Sequence, residues 1–284
     1  MRSEKSGILL NIIIGITAFG AVALGLYPTV ANAVNQLDQN ESIVVYDKVV
    51  QNVDTSGLDQ MWKDAESFNE KLSGSGGLFQ LSDDQKEEYE SLLNIAGDGL
   101  MAYVDIPGQN IHLPVYHGTS DEVLEKAVGH LEGTSLPVGG KSVHSVITGH
   151  TGLPNLDLFT DIRNMQVGDT FTLTVLNRME TYQVDKIDVV LPEEVQGLGI
   201  VNGQNYCTLV TCTPYGVNDH RLLVRGKLID TQLTGTTQET TQSHAISVTS
   251  SDGLVRLIQI GCGVAAAGGI VVIVLIIISA LKNR

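Results

Sequence analysis

Two long apolar runs bracket the chain, and between them hydrophobic positions recur at the short spacing of strands. Gly7 through Leu26 is almost wholly apolar behind Arg2 and Lys5. At about 20 residues it reads as a signal peptide or a start-anchor. Ala31-Asn32-Ala33 offers an A-x-A cleavage site, whereas the run is longer than a usual signal-peptide core, so cleavage and retention both stay open. A second run, Leu257 to Leu281, is interrupted by Gln259 and ends in Lys282-Asn283-Arg284. Its length of about 25 residues and its basic end predict a stop-transfer anchor with the C-terminus in the cytoplasm. Either fate of the N-terminus leaves residues 34 to 255 outside the cell.

The segment after the first run is polar with spaced apolar positions. Ile43, Val44, Tyr46, Val49 and Val50 predict helix within residues 34 to 72, and Asp84 to Leu93 predicts another. Ser73-Gly74-Ser75-Gly76-Gly77 is a flexible break between them. Strand chemistry then dominates: Leu100 to Asp105, Ile111 to Val115, Val143 to Thr148, Thr170 to Leu176, Thr181 to Leu191, Tyr206 to Thr211 and Arg221 to Leu228. Short helices are expected at Ser120 to Val128 and Asn155 to Met165. Thr231 to Asp252, rich in Thr, Ser and Gln, is expected to be a tether without a fold of its own.

Length and charge narrow the class. Of the 284 residues, the part between the apolar runs suits one domain of about 150 residues with an appendage. A formal net charge of -15 without a Lys/Arg cluster argues against nucleic-acid binding, which needs basic patches.

The chemistry collects at strand ends. Thr208-Leu209-Val210-Thr211-Cys212 is a β-branched stretch stopped by Pro214 and Gly216, which places the Cys212 thiol at a loop edge. His150 follows the strand Val143 to Thr148 in the same way, ahead of Gly152 and Pro154, and Arg221 opens the strand Arg221 to Leu228. A thiol at its free pKa is mostly protonated at neutral pH and needs a nearby cation to become a nucleophile. An imidazole supplies that charge and later donates a proton to a leaving amine. A forked guanidinium suits the oxyanion of acyl transfer. The reaction class these three residues suggest is acyl transfer through a thioester.

The remaining cysteines and histidines add no second site. Cys207 and Cys212 lie five positions apart on one strand, facing opposite sides at about 16 Å, beyond disulfide reach. Cys262 falls in the second apolar run. His112, His117, His130, His144, His220 and His244 show no paired ligand spacing, so neither a metal nor another cofactor is expected. His130 reads as a structural hydrogen-bonding residue in a glycine loop.

These motifs resemble those of sortases, and specifically of class C, pilus-assembling sortases of Gram-positive bacteria. The resemblance rests on Thr208 to Cys212, on Thr148-Gly149-His150 and on the continuation Cys212 to Gly226. Upstream it includes Ile106-Pro107, Leu113 to Thr119 and Gly129 to Gly140, so that it covers roughly residues 88 to 230. It implies an all-β fold: a closed eight-stranded barrel with short helices, an N-terminal helical appendage and terminal transmembrane segments. The expected organisation is a signal peptide or anchor at 1–33, a helical region with a possible lid at 34–96, the catalytic barrel at 97–230, a linker at 231–255 and a membrane anchor at 256–284.

The resemblance further implies His150, Cys212 and Arg221 as the catalytic trio of a cell-membrane transpeptidase with an extracellular catalytic domain. Its expected substrates are pilin subunits bearing an LPXTG-like sorting signal, with a lysine of another pilin or a peptidoglycan amine as acceptor. Wall anchoring is the alternative within the fold, and a non-catalytic membrane-tethered binding protein the alternative outside it. A caspase-like peptidase would carry Gln-Ala-Cys, which is absent. Two departures stand out. No proline occurs between Pro28 and Pro107, so the Asp-Pro-aromatic lid motif usual in pilus sortases is missing, leaving Phe79 or Trp62 as substitutes. Asp219, two residues before Arg221, reads either as a tether for the guanidinium or as a solvated turn residue.

Overall fold

The computed structural model describes residues 2–74, 80–153 and 156–234. The C-terminal apolar run with its basic tail, Cys262, His244, Phe79 and nearly all of the Thr/Ser-rich linker lie outside the described residues. Val34–Thr240 forms one compact unit, and Met1–Ala33 belongs to a second.

Three helices precede the strands: α1 (Arg2–Asn52), α2 (Thr55–Gly74) and α3 (Asp83–Ser91). Among the described residues, the stretch Ile13–Asn52 of α1 is the one helix long and apolar enough to cross a membrane. The helical pattern of residues 34 to 72 breaks at Asp54, whose carboxylate accepts the Gly57 amide at 2.8 Å and so supplies the oxygen that starts α2. In α3 the Ser82 hydroxyl and the Gln85 side chain cap each other's backbone amides.

Eight strands follow: β1 (Leu100–Ile106), β2 (Ile111–His117), β3 (Val128–His130), β4 (Val143–Thr148), β5 (Thr170–Val175), β6 (Arg178–Val190), β7 (Asn205–Thr213) and β8 (His220–Leu233). A four-residue helix, α4 (Asp121–Leu124), lies between β2 and β3. The strands close into a barrel in the order β1-β2-β3-β4-β7-β8-β6-β5, which leaves no free sheet edge. Two neighbouring pairs are parallel, β2 with β3 and β4 with β7. The other ladders are antiparallel.

The interior is filled by alternate residues of each strand, among them Val104, Leu113, Ile147, Phe171, Leu173, Tyr182, Cys207, Leu209 and Val224. Phe171 and Tyr182 stack at 5.3 Å, and Gly226 lies so close that an added Cβ would meet them at 2.5 and 2.8 Å. The helices dock through polar anchors set among apolar contacts. Tyr46 of α1 donates to the Met101 carbonyl at 2.9 Å and accepts the Leu176 amide at 2.7 Å. Asn69 of α2 brackets Leu136, giving 3.0 Å to its carbonyl and taking its amide at 2.7 Å. Tyr89 of α3 meets the His130 ring at 3.0 Å and accepts the Gly118 amide.

Three expectations are corrected. The helix expected over Ser120 to Val128 stops at Leu124, because Val128 enters β3, a strand that exists only through its partners β2 and β4. Over Asn155 to Met165 the chain forms one 3-10 turn, Thr160–Asn164. The segment from residue 231, expected to be linker, begins as strand: Thr231, Gln232 and Leu233 pair with Glu180, Met179 and Arg178 of β6.

Candidate active site

Alternation along β7 decides what Cys212 faces. Cys207 and Leu209 point into the barrel, so Val210 and Cys212 point out, onto a small apolar patch with Val146 of β4, Leu198 and Leu223 of β8. Leu131 and Val190 pack against this patch, and together they floor a groove of about 380 Å³ that contains His150, Cys212 and Arg221. The patch is held by a buried bridge: the His144 ring meets the Thr208 hydroxyl at 2.7 Å and the Gly199 carbonyl at 2.8 Å. Burial lowers the affinity of His144 for a proton, and more strongly that of His130, which is pushed down to about 4.

Register brings the three residues together. Cys212 is the direct cross-strand partner of Arg221 in the antiparallel β7–β8 ladder. The parallel β4–β7 ladder ends on the pair Thr148 and Val210, and His150, two residues beyond Thr148, lines the same groove as Cys212 and Arg221. Two bonds tie the chain to β7 past the strand end: the Gly149 amide donates to the Val210 carbonyl at 3.0 Å, and the Thr211 hydroxyl donates to the Gly149 carbonyl at 2.7 Å. The Arg221 guanidinium is braced by the Asn218 and His220 carbonyls at 3.3 and 3.1 Å. Those carbonyls project from a turn in which Asn218 takes φ 61° and Gly216 φ 79°, the left-handed region open to Asn and Gly.

Cys207 is of a different kind. It is fully buried in the barrel near the Glu180 carboxyl, and desolvation pushes its thiol well above the usual range, which keeps it protonated and inert. Cys212 is partly exposed at the groove. The Asp219 carboxylate is engaged by the His220 ring at 2.7 Å and not by Arg221, and that bond holds its pKa below the ordinary value. Trp62 is 2% exposed in α2 with the Arg178 guanidinium over its ring at 4.4 Å, so it is a packing residue and does not line the groove. No cluster of three metal-ligating side chains occurs among the described residues.

Sequence reasoning did not find the residues that build the groove around the trio. Leu131, Val190, Leu198 and Leu223 come from four separate stretches, and only the barrel's closure brings them to one face. The Thr208–His144 and Thr211–Gly149 bridges were equally hidden, because each joins β7 to residues about sixty positions earlier.

The sortase domain profile matches residues 104–229, from β1 through most of β8, and therefore contains all three groove residues. Structures decide the family. The crystal structure of sortase C1 from Streptococcus agalactiae is 45% identical, superposes with a TM-score of 0.66, and is covered over 98% of its length by 67% of this chain. This chain belongs to the sortase family, whose members are cysteine transpeptidases, and its structural relatives include class C sortases. Sortase C from Clostridium perfringens, solved with the C-terminal cell wall sorting motif, is 42% identical with a TM-score of 0.59, over 67% of this chain and 98% of its own. Among curated relatives, sortase A of Streptococcus agalactiae is 27% identical over 129 residues, and this chain spans 51% of its length. The match there is confined to 44% of this chain.

Proposed function

We propose that this sortase cleaves an LPXTG-like sorting signal and joins the released acyl group to a lysine of another pilin subunit. The observation that carries the reading is the pairing of Cys212 with Arg221 across β7 and β8, with His150 lining the same apolar groove. The Cys212 thiolate adds to the threonine carbonyl carbon of the Thr-Gly bond, forming the C–S bond and a tetrahedral oxyanion. Arg221 stabilises that oxyanion, which costs little reorganisation because its guanidinium is already braced. Collapse breaks the C–N bond, and the His150 imidazolium gives its proton to the departing glycine amine. Neutral His150 then takes a proton from the incoming lysine amine as it attacks the thioester and expels the thiolate.

Extended peptide suits the groove because its floor is apolar while its rim carries the reacting groups. An anchor in α1 would hold the catalytic unit at the membrane surface, where sorting substrates pass. The test is intact-mass analysis after incubation with an LPXTG-like peptide and no amine acceptor. The expected result is an adduct equal to the acyl part of the peptide through its threonine, mapped to Cys212 and released by hydroxylamine. No adduct, or one mapped to another residue, overturns the reading. Adding a pilin lysine peptide in competition with a peptidoglycan amine then separates polymerisation from wall anchoring.

A further inference from the structure

Among the described residues the His150 imidazole has no hydrogen-bond partner, and no carboxylate there orients it as one does in a protease triad. What holds it there is the backbone. Two peptide planes meet at the His150 Cα, and each is rigid, so holding the carbonyl oxygen of both fixes the path of the Cα–Cβ bond. The preceding carbonyl, Gly149, accepts the Thr211 hydroxyl at 2.7 Å. The following carbonyl, that of His150, accepts the Phe159 amide at 3.1 Å. Gly149 itself has no room to shift: an added Cβ would meet Val128 Cγ1 at 2.7 Å and the Phe159 ring at 3.0 Å.

We propose that Thr211 is a positioning residue for His150, acting through the Gly149 carbonyl, so that one strand carries both the nucleophile and the tether that sets the proton donor against it. The inference rests on the assignment of His150 as proton donor made above. Thr211 reaches the groove lining but is 2% exposed, and its hydroxyl hydrogen is committed to Gly149, which leaves it no donor for a substrate. Because Thr211 precedes Cys212 in the chain, any movement of the β7 end carries both partners together and preserves their spacing. Misplacement of a catalytic group by about 1 Å costs on the order of a hundredfold in rate, so a tether of this kind has a kinetic consequence.

Thr211→Val keeps the shape and the β-branch but removes the donor; Thr211→Ser keeps the donor. With an LPXTG-like peptide and the full chain in detergent, Thr211→Val is expected to lower kcat by roughly tenfold to a hundredfold with KM within about twofold, and Thr211→Ser to stay within about threefold of the parent. Near-parent kcat in Thr211→Val, or equal loss in both variants, overturns the proposal. Should Thr211→Val fail to fold, Thr211→Ala takes its place in the same comparison. His150→Ala that retains turnover would instead remove the proton-donor assignment, a result read apart from the tether.

Discussion

Replacing Glu180 with Gln should change how stability depends on pH. Glu180 is 0% exposed on the inner side of β6, and of its two oxygens only Oε2 has a partner, the Tyr182 hydroxyl at 2.7 Å. Oε1 faces Gly139, where an added Cβ would sit 3.1 Å away. Burial raises its pKa from 4.5 to about 7, opposed by the Tyr182 bond and the charge of Arg178 and reinforced by Glu66. The folded chain thus holds a proton that the unfolded chain releases above about pH 4.5. Its contribution is fully present below that pH and is lost as the pH rises through about 7, after which it is flat.

At about 1.4 kcal/mol per pH unit, the shift corresponds to roughly 3 kcal/mol across this window. Glu180→Gln carries no such proton, so the stability difference, variant minus parent, should rise by roughly 2–3 kcal/mol between pH 5 and pH 8, part of the change lying below pH 5. Groups that titrate in both proteins cancel in that difference. The assay is urea unfolding at each pH, followed by the fluorescence of Trp62, the one tryptophan of the chain, which lies over Arg178 beside this cluster. A difference that stays level from pH 5 to pH 8, or that falls, refutes the argument.

Other changes separate groove from core. Cys212→Ala should abolish cleavage of a sorting peptide, while Cys207→Ala, facing the barrel interior, should keep turnover near the parent and lower stability by about 1 kcal/mol in urea unfolding; loss of cleavage in both would remove the facing argument. Arg221→Lys retains charge but loses the planar fork, one nitrogen of which is braced by two carbonyls, and peptide turnover should drop roughly a hundredfold, with near-normal rates marking Arg221 as structural. Gly226→Ala should cost about 1–3 kcal/mol by thermal or urea unfolding, since its Cβ would strike Phe171 and Tyr182, and an unchanged midpoint would show that the stacked rings yield.

Most strands were legible because each is a short β-branched run ended by Gly, Pro or Asn, a signal contained within the run itself. β4 begins and ends at Val143 and Thr148 as read from the sequence, and the ends of β7 and β8 fall within a few residues, apart from the extension of β8 to Leu233. The thiol and imidazole at strand ends were visible for the same reason: Pro214 stops β7 just after Cys212, and Gly149 follows the last residue of β4 just before His150. By contrast β3 has three residues, too few for any periodicity, and Val128 reads as the end of an amphipathic helix until β2 and β4 offer it hydrogen bonds on both sides.

The chain by itself therefore determined which residues are candidates for the chemistry and which face of each strand they share, since side-chain alternation is a local property of extended backbone. Distances between them came only with the barrel. A parallel β4–β7 pair requires a long connection, and nothing in either strand states that Thr148 will lie against Val210 and not a neighbour two residues away. That register, set by closure of all eight strands around one core, brings His150 and Cys212 into one groove and the Thr211 hydroxyl onto the Gly149 carbonyl. Glu180 shows the same division from the opposite side: in sequence it is one carboxylate in a polar stretch, and only its burial against Tyr182 and Gly139 makes its proton a term in the folding equilibrium.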